Sequence, residues 1–388
     1  MIADLIRLVR GIYGRDCFVP LHRPLFGGSE REYLSACIDS NFVSSVGEKV
    51  TEFERQVAEL AGAQFGVAVV NGTNALQVAL RLVGVERECE VVTQALTFVA
   101  TCNAIGYLGA HPVFVDVDRE TLGMSPDALR AFLEEFGERR EDGCYNRETG
   151  RRMAACQPMH TFGHPARIDE IAAICQDWGI ALVEDAAESL GSYFQGRHTG
   201  TFGRLGVFSF NGNKIITTGG GGMIVTDDEE LAARAKHLTT TAKVPHPYEY
   251  VHDELGYNFR MPNLNAALGC AQMEQLPGFL AAKREIADRY ATFFADRDAE
   301  FIREPDNARS NYWLNAIILK DRAERDAFLK ETNEQGVMTR PIWALMNELP
   351  MYAGCQTDGL EVSKWLEDRV VNLPSSVPDD GGAKGKMG

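Results

Sequence analysis

Phe208-Ser209-Phe210-Asn211-Gly212-Asn213-Lys214-Ile215-Ile216-Thr217-Thr218-Gly219-Gly220-Gly221-Gly222 sets one lysine between an apolar, strand-like run and four consecutive glycines. Ile215 and Ile216 follow the lysine directly, a pattern that confines its ammonium instead of leaving it in bulk water. Desolvation and neighbouring positive charge favour a neutral amine, and a neutral amine adds to a carbonyl to form a Schiff base. Taken alone, Lys214 also fits a solvated surface charge, because lysines seldom leave the surface. The flanking chain supplies the context that separates the two.

Working back from this stretch, Val183-Glu184-Asp185-Ala186-Ala187-Glu188 places carboxylates where an apolar strand ends. A carboxylate in that position needs a cation or several donors, since an unpaired buried charge is costly. A protonated pyridine nitrogen would serve, with Asp185 keeping the ring cationic and electron-withdrawing; an N-cap for the next segment is the alternative. Further back, a strand over Val67–Val70 runs into Asn71-Gly72-Thr73-Asn74 and a helix over Ala75–Val83. Free backbone N–H groups, a hydroxyl and the positive end of a helix suit a phosphate there, although Asn and Thr also cap helices.

The same alternation continues. Strands are expected near Val91-Val92, His111–Val117, Ala154–Met159, Ile180–Val183 and Met223–Thr226. Helices are expected over Phe98–Leu108, Pro126–Phe136, Ile168–Trp178 and Asp228–Leu238, and a polar insert spans Gly137–Arg152. Near-continuous apolar strands alternating with helices predict an α/β fold, a mostly parallel sheet with helices on both faces. Ligands in such sheets gather at the carboxyl ends of the strands. Gly72-Thr73, Phe98, Glu184-Asp185 and the Ser209–Lys214 run all fall there.

We expect an N-terminal helical arm and entry segment over 1–60, a large domain over 61–276 and a smaller α+β C-terminal domain over 277–378. The hinge is expected near Pro277, between helices Asn263–Gln275 and Phe279–Phe294, and a Gly- and Lys-rich tail over 379–388 is expected to be disordered. Composition narrows the class. The 388 residues are 45% hydrophobic, which supports a large core. The net charge of −16 has no basic block, against nucleic acid or an anionic membrane as partner. No window approaches the roughly 18 uninterrupted apolar residues of a membrane span, and a cytoplasmic enzyme is expected. The nine cysteines are scattered without a Cys-x-x-Cys pair, and His160 and His164 are separated by Gly163, so neither a disulfide framework nor a metal site is expected.

The ordered set Gly72-Thr73, Phe98, Asp185, Glu188, Ser209, Lys214 and Asn258 resembles the DegT/StrS-type sugar aminotransferases of fold type I, over about Val19 to Pro374. The resemblance implies pyridoxal 5'-phosphate (PLP) as cofactor, with Lys214 forming its Schiff base and shuttling protons. It implies Asp185 on the pyridine nitrogen, Phe98 against the ring face and Glu188 near the ring hydroxyl. Gly72, Thr73, Asn74 and Ser209 would surround the phosphate, joined by Asn258 from the second subunit of a homodimer with shared active sites.

Asn211-Gly212-Asn213-Lys214, Val19-Pro20-Leu21-His22 and Phe42-Val43-Ser44-Ser45-Val46-Gly47 are similar to one branch of that family. Its members aminate carbon 4 of UDP-linked 4-keto-6-deoxy-N-acetylglucosamine for legionaminic acid or bacillosamine synthesis. That similarity implies L-glutamate as amino donor and Ser45, Val46 and Trp343 on the substrate side, the last within Thr339-Arg340-Pro341-Ile342-Trp343. Arg260 and Arg340 are candidates to meet the nucleotide pyrophosphate. GDP- or dTDP-linked keto sugars, amination at carbon 3, and a non-catalytic sensor on the same scaffold remain alternatives. A sugar 3-dehydratase is disfavoured because those relatives carry histidine where this chain has Lys214.

Overall fold

A computed structural model describes residues 1–14 and 18–379. Its centre is a seven-stranded sheet in the spatial order Phe65–Val69, Gly222–Thr226, Leu205–Ser209, Ala181–Asp185, Met153–Gln157, Glu90–Gln94 and His111–Val115. Gly222–Thr226 runs antiparallel to both neighbours, and the other six strands share one direction. These strands carry apolar residues on both faces because helices cover both, which explains runs such as Val91-Val92 without polar alternation.

Helix starts follow local chemistry. Asn71 Oδ1 accepts the N–H of Asn74 at 2.8 Å and opens the helix Gly72–Leu82. Ser125 caps Pro126–Phe136 and Asp228 caps Glu229–Thr239 in the same way. The first of these caps aims the free N–H groups of the opening turn at the end of strand Phe65–Val69.

Two features differ from expectation. The polar insert forms a hairpin, Gly137–Arg140 paired with Gly143–Asn146. The two helices expected around residue 277 are one helix, Asn263–Phe294, that passes through Pro277. Proline removes one backbone donor inside a helix, but Leu276 and Phe279 on either side are both buried, and their packing holds the helix continuous.

A second, four-stranded antiparallel sheet follows the order Glu300–Phe301, Asn315–Ile318, Val370–Leu373, Arg340–Pro341. The N-terminal helix Ile2–Tyr13 buries Leu5, Ile6 and Val9 in one cluster with Tyr290, Ile317, Phe328 and Val371. Among the described residues no helix is long and apolar enough to cross a membrane. Residues 15–17 and 380–388 lie outside the described residues, and the tail expected to be disordered lies there beyond Asp379.

Candidate active site

A cavity of about 260 Å³ opens at the carboxyl ends of the parallel strands. Gly72, Thr73, Phe98, Asp185, Glu188, Ser209 and Lys214, all singled out from the sequence, line it together. Strand register explains the convergence. Gly222 pairs with both Val69 and Ser209, so the Asn71-Gly72 turn and the end of strand Leu205–Ser209 meet across one residue. Val207 pairs with Asp185 on the other side.

The glycines here are set by close approach. A Cβ on Gly72 would lie 2.9 Å from Ser209 Cβ, and one on Gly222 would lie 2.5 Å from the Asn71 carbonyl carbon. Among the described residues neither Thr73 Oγ1 nor Ser209 Oγ donates to or accepts from a protein group, and the opening N–H groups of the helix have no intrahelical acceptor. Two hydroxyls and a helix N-terminus around one small space suit a phosphate.

Asp185 is 2% exposed. Its Oδ2 accepts from Thr101 Oγ1 at 2.7 Å and its Oδ1 from the Ala187 N–H at 3.2 Å. Burial raises its pKa, against the two hydrogen bonds and the positive charge of Lys214. An anion held this deep, facing the cavity, calls for a cationic partner. Glu188, 3% exposed, accepts from Lys214 Nζ at 3.2 Å through Oε1 and from the Phe162 N–H at 2.9 Å through Oε2. Burial pushes its pKa up to about 7, opposed by Lys214 and the Phe162 hydrogen bond. Lys214 Nζ also lies 4.1 Å from the centre of the Trp313 ring. Phe98, at the mouth, is 47% exposed and its ring lies 6.4 Å from that of Trp343.

A phosphate cradle, a buried aspartate, an accessible aromatic face and a lysine paired to a carboxylate fit PLP. The cavity holds each of these groups without competing ion pairs beyond Lys214 and Glu188 among the described residues.

Other expected residues lie elsewhere. The N–H of Asn74 is committed to Asn71, and Asn71, which sequence reading passed over, lines the cavity instead. The two asparagines were distinguishable only by backbone angle: Asn71 is extended, with φ −166°, as a cap requires. Asn258 is exposed, accepts from Arg260 Nη2 at 3.2 Å, and does not line its own chain's cavity. Arg340 is exposed and turned toward Asn333 and the Thr339 carbonyl. Val46 lines a separate cavity of about 680 Å³ with Tyr33, Phe42 and Asn263, and Ser45 lines neither. Trp343 touches the site through Phe98 and Phe162. Trp313, Met159, Asn211 and Thr101 were missed; Thr101 stands three residues after Phe98, at helical spacing that could have marked it.

Residues 25–379 match the family described as the DegT/DnrJ/EryC1/StrS aminotransferase family. The chain is 35% identical over 358 residues to GDP-perosamine synthase of Escherichia coli O157:H7, covering 92% of this chain and 93% of that one. It is 38% identical over 333 residues to EpsN of Bacillus subtilis (strain 168), which carries the provisional name of a pyridoxal phosphate-dependent aminotransferase, covering 86% and 83%. The crystal structure of the aminotransferase TlmJ from Streptoalloteichus hindustanus superposes with a TM-score of 0.84 at 29% identity, covering 92% of this chain and 93% of that one. The chain therefore belongs to the DegT/DnrJ/EryC1/StrS aminotransferase family and is a PLP-dependent sugar aminotransferase of fold type I.

Proposed function

We propose that this enzyme transfers the amino group of L-glutamate to carbon 4 of a nucleotide-linked 4-keto-6-deoxy sugar, and that the nucleotide is GDP. The observation that carries the transfer is the Lys214–Glu188 pair at the mouth of a phosphate cradle. The GDP assignment is supported by likeness to GDP-perosamine synthases along almost the whole chain. When bound, PLP supplies an aldehyde that takes up the amino group and a ring that withdraws electrons from the reacting carbon.

The protein's part is positional and protonic. Ser209, Thr73 and the N–H of Gly72 would hold the phosphate. Asp185, oriented by Thr101 and Ala187, would meet the ring nitrogen. Phe98 would lie against the ring and limit water. Lys214 Nζ would hold the cofactor's aldehyde and, when free, carry the proton at the reacting carbon. Glu188 Oε1 holds Lys214 Nζ at the start, and its pKa of about 7 lets it keep or release a proton near neutrality. Asn258 completes the cradle of a second copy in a homodimer with shared sites.

A UDP-linked sugar is the second reading, favoured by Asn211-Gly212-Asn213-Lys214 and the segments containing His22, Ser45, Val46 and Trp343. In that reading Arg260 and Arg340 reach the pyrophosphate. Absorbance of the holoenzyme decides between them. Glutamate should bleach the cofactor band, and the GDP-linked 4-keto-6-deoxy sugar should restore it. Restoration by the UDP-linked sugar alone would replace the nucleotide assignment. Failure of glutamate to bleach the band would remove glutamate as donor.

A further inference from the structure

Lys283, on helix Asn263–Phe294, is fully buried and has no carboxylate partner among the described residues. Its Nζ donates to the Ser375 carbonyl at 2.7 Å and the Trp313 carbonyl at 3.0 Å, and lies 2.9 Å from His22 Nε2. A buried lysine held only by two carbonyls and an imidazole is expensive, since methionine would fill the same space without desolvating a charge. Such a group needs a role that repays its placement.

The bonds lead to Lys214. Trp313, whose carbonyl Lys283 holds, donates its indole Nε1–H to the Asn213 carbonyl at 2.7 Å, one residue before Lys214. The ring of Trp313 lies under Lys214 Nζ at 4.1 Å. The Trp313 backbone N–H donates to Asn311 Oδ1 at 2.8 Å, and Asn311 Nδ2 donates in turn to the Glu188 carbonyl at 2.8 Å. The segment 311–313 thus grips both partners of the Lys214–Glu188 pair, and Lys283 ties that segment to the Ser375 and His22 segments.

We propose that Lys283 and Trp313 are positioning residues: Lys283 fixes Trp313, and Trp313 holds the Lys214 amine at Glu188 in the orientation from which it captures PLP and carries protons. The inference rests on Lys214 being the residue that holds PLP.

The test uses the 388-residue chain with Trp313→Phe, Lys283→Met and the two combined, and Lys214→Ala as control. The rate of covalent PLP capture by the cofactor-free protein, trapped with borohydride, is read beside single-turnover glutamate kinetics and thermal melting. Trp313→Phe keeps a ring and loses the hydrogen bond to Asn213. It should slow capture and the glutamate step by roughly tenfold to a hundredfold, as small misplacements of reacting groups do. The half-saturating glutamate concentration and the melting temperature should stay near wild type. Lys283→Met should slow both rates at least as much, and the pair should be no slower than Lys283→Met alone. Wild-type rates in Trp313→Phe, or multiplied losses in the pair, would overturn the proposal. If Lys283→Met does not fold, Trp313→Phe decides alone. Undiminished capture by Lys214→Ala would instead remove Lys214 from its role, an outcome distinguishable from a failure of the positioning chain.

Discussion

Lys214 Nζ and Glu188 Oε1 lie 3.2 Å apart in a site where both side chains are largely withdrawn from water. Glu188 is the more buried partner, and burial raises its pKa to about 7 while the lysine's charge pulls the other way. A carboxyl group with a raised pKa thus stands against the amine that we propose to carry the proton at the reacting carbon.

Glu188 makes stability depend on pH in a stated direction. Its folded-state pKa of about 7 exceeds the ordinary 4.5, so the folded chain binds this proton more tightly than the unfolded chain. The linked stabilisation is full below the ordinary value and is lost as pH rises through the folded value. In cofactor-free protein, Glu188→Gln should flatten the fall of wild-type melting temperature between about pH 5 and pH 8, a difference of at most a few kcal/mol. Parallel profiles for the two proteins would show that Glu188 does not titrate in this range.

Gly72→Ala tests the phosphate cradle. The new Cβ would lie 2.9 Å from Ser209 Cβ, so the first helical turn or the strand end must shift. A cost of about 1–3 kcal/mol is expected, read as PLP affinity weaker by roughly tenfold or more in equilibrium dialysis. Unchanged affinity would place the phosphate elsewhere.

Asp185→Asn keeps one acceptor oxygen for the Ala187 N–H, turns an amide NH2 toward the Thr101 hydroxyl, which can rotate to accept from it, and removes the negative charge proposed to face the ring nitrogen. The melting temperature should change little, and the single-turnover rate with glutamate should fall by about a hundredfold, the scale of losing one aligned electrostatic contact. A fall of less than about threefold would mean that Asp185 is a structural anion only.

Asn258 is exposed and away from its own cavity, which suits a residue that serves a second subunit. Asn258→Ala and Lys214→Ala should each be impaired alone. A mixed dimer of the two has one active site that carries both intact residues, and activity should return to about half per dimer at most. No recovery in a verified mixed dimer would show that each site is complete within one chain.

Much of the site was legible because it lies at strand ends. Gly72, Phe98, Asp185, Ser209 and Lys214 each sit within a few residues of where an apolar run stops, and the α/β alternation sends all those stops to one side of the sheet. Trp313 was not legible: it lies about a hundred residues beyond Lys214, beside a different sheet, and only tertiary packing brings its ring under Nζ. Lys283 was not legible either, because nothing local signals that carbonyls from Trp313 and Ser375 converge on it. Pro277 read as a break because local chemistry disfavours helix there, and burial of Leu276 and Phe279 overrode it. Ser45 and Val46 were chosen by motif likeness and Arg260 and Arg340 for their charge, and in one chain none of them lines the cavity that holds Lys214.

The most direct test of Lys214 as the centre of this chemistry is borohydride reduction of the holoenzyme followed by digestion and mass spectrometry. A PLP-derived mass is expected on the peptide carrying Lys214 and is expected to be absent from the Lys214→Ala protein. A label on Lys283, the buried lysine bonded to the Trp313 carbonyl, or a label that persists in Lys214→Ala, would rule this out.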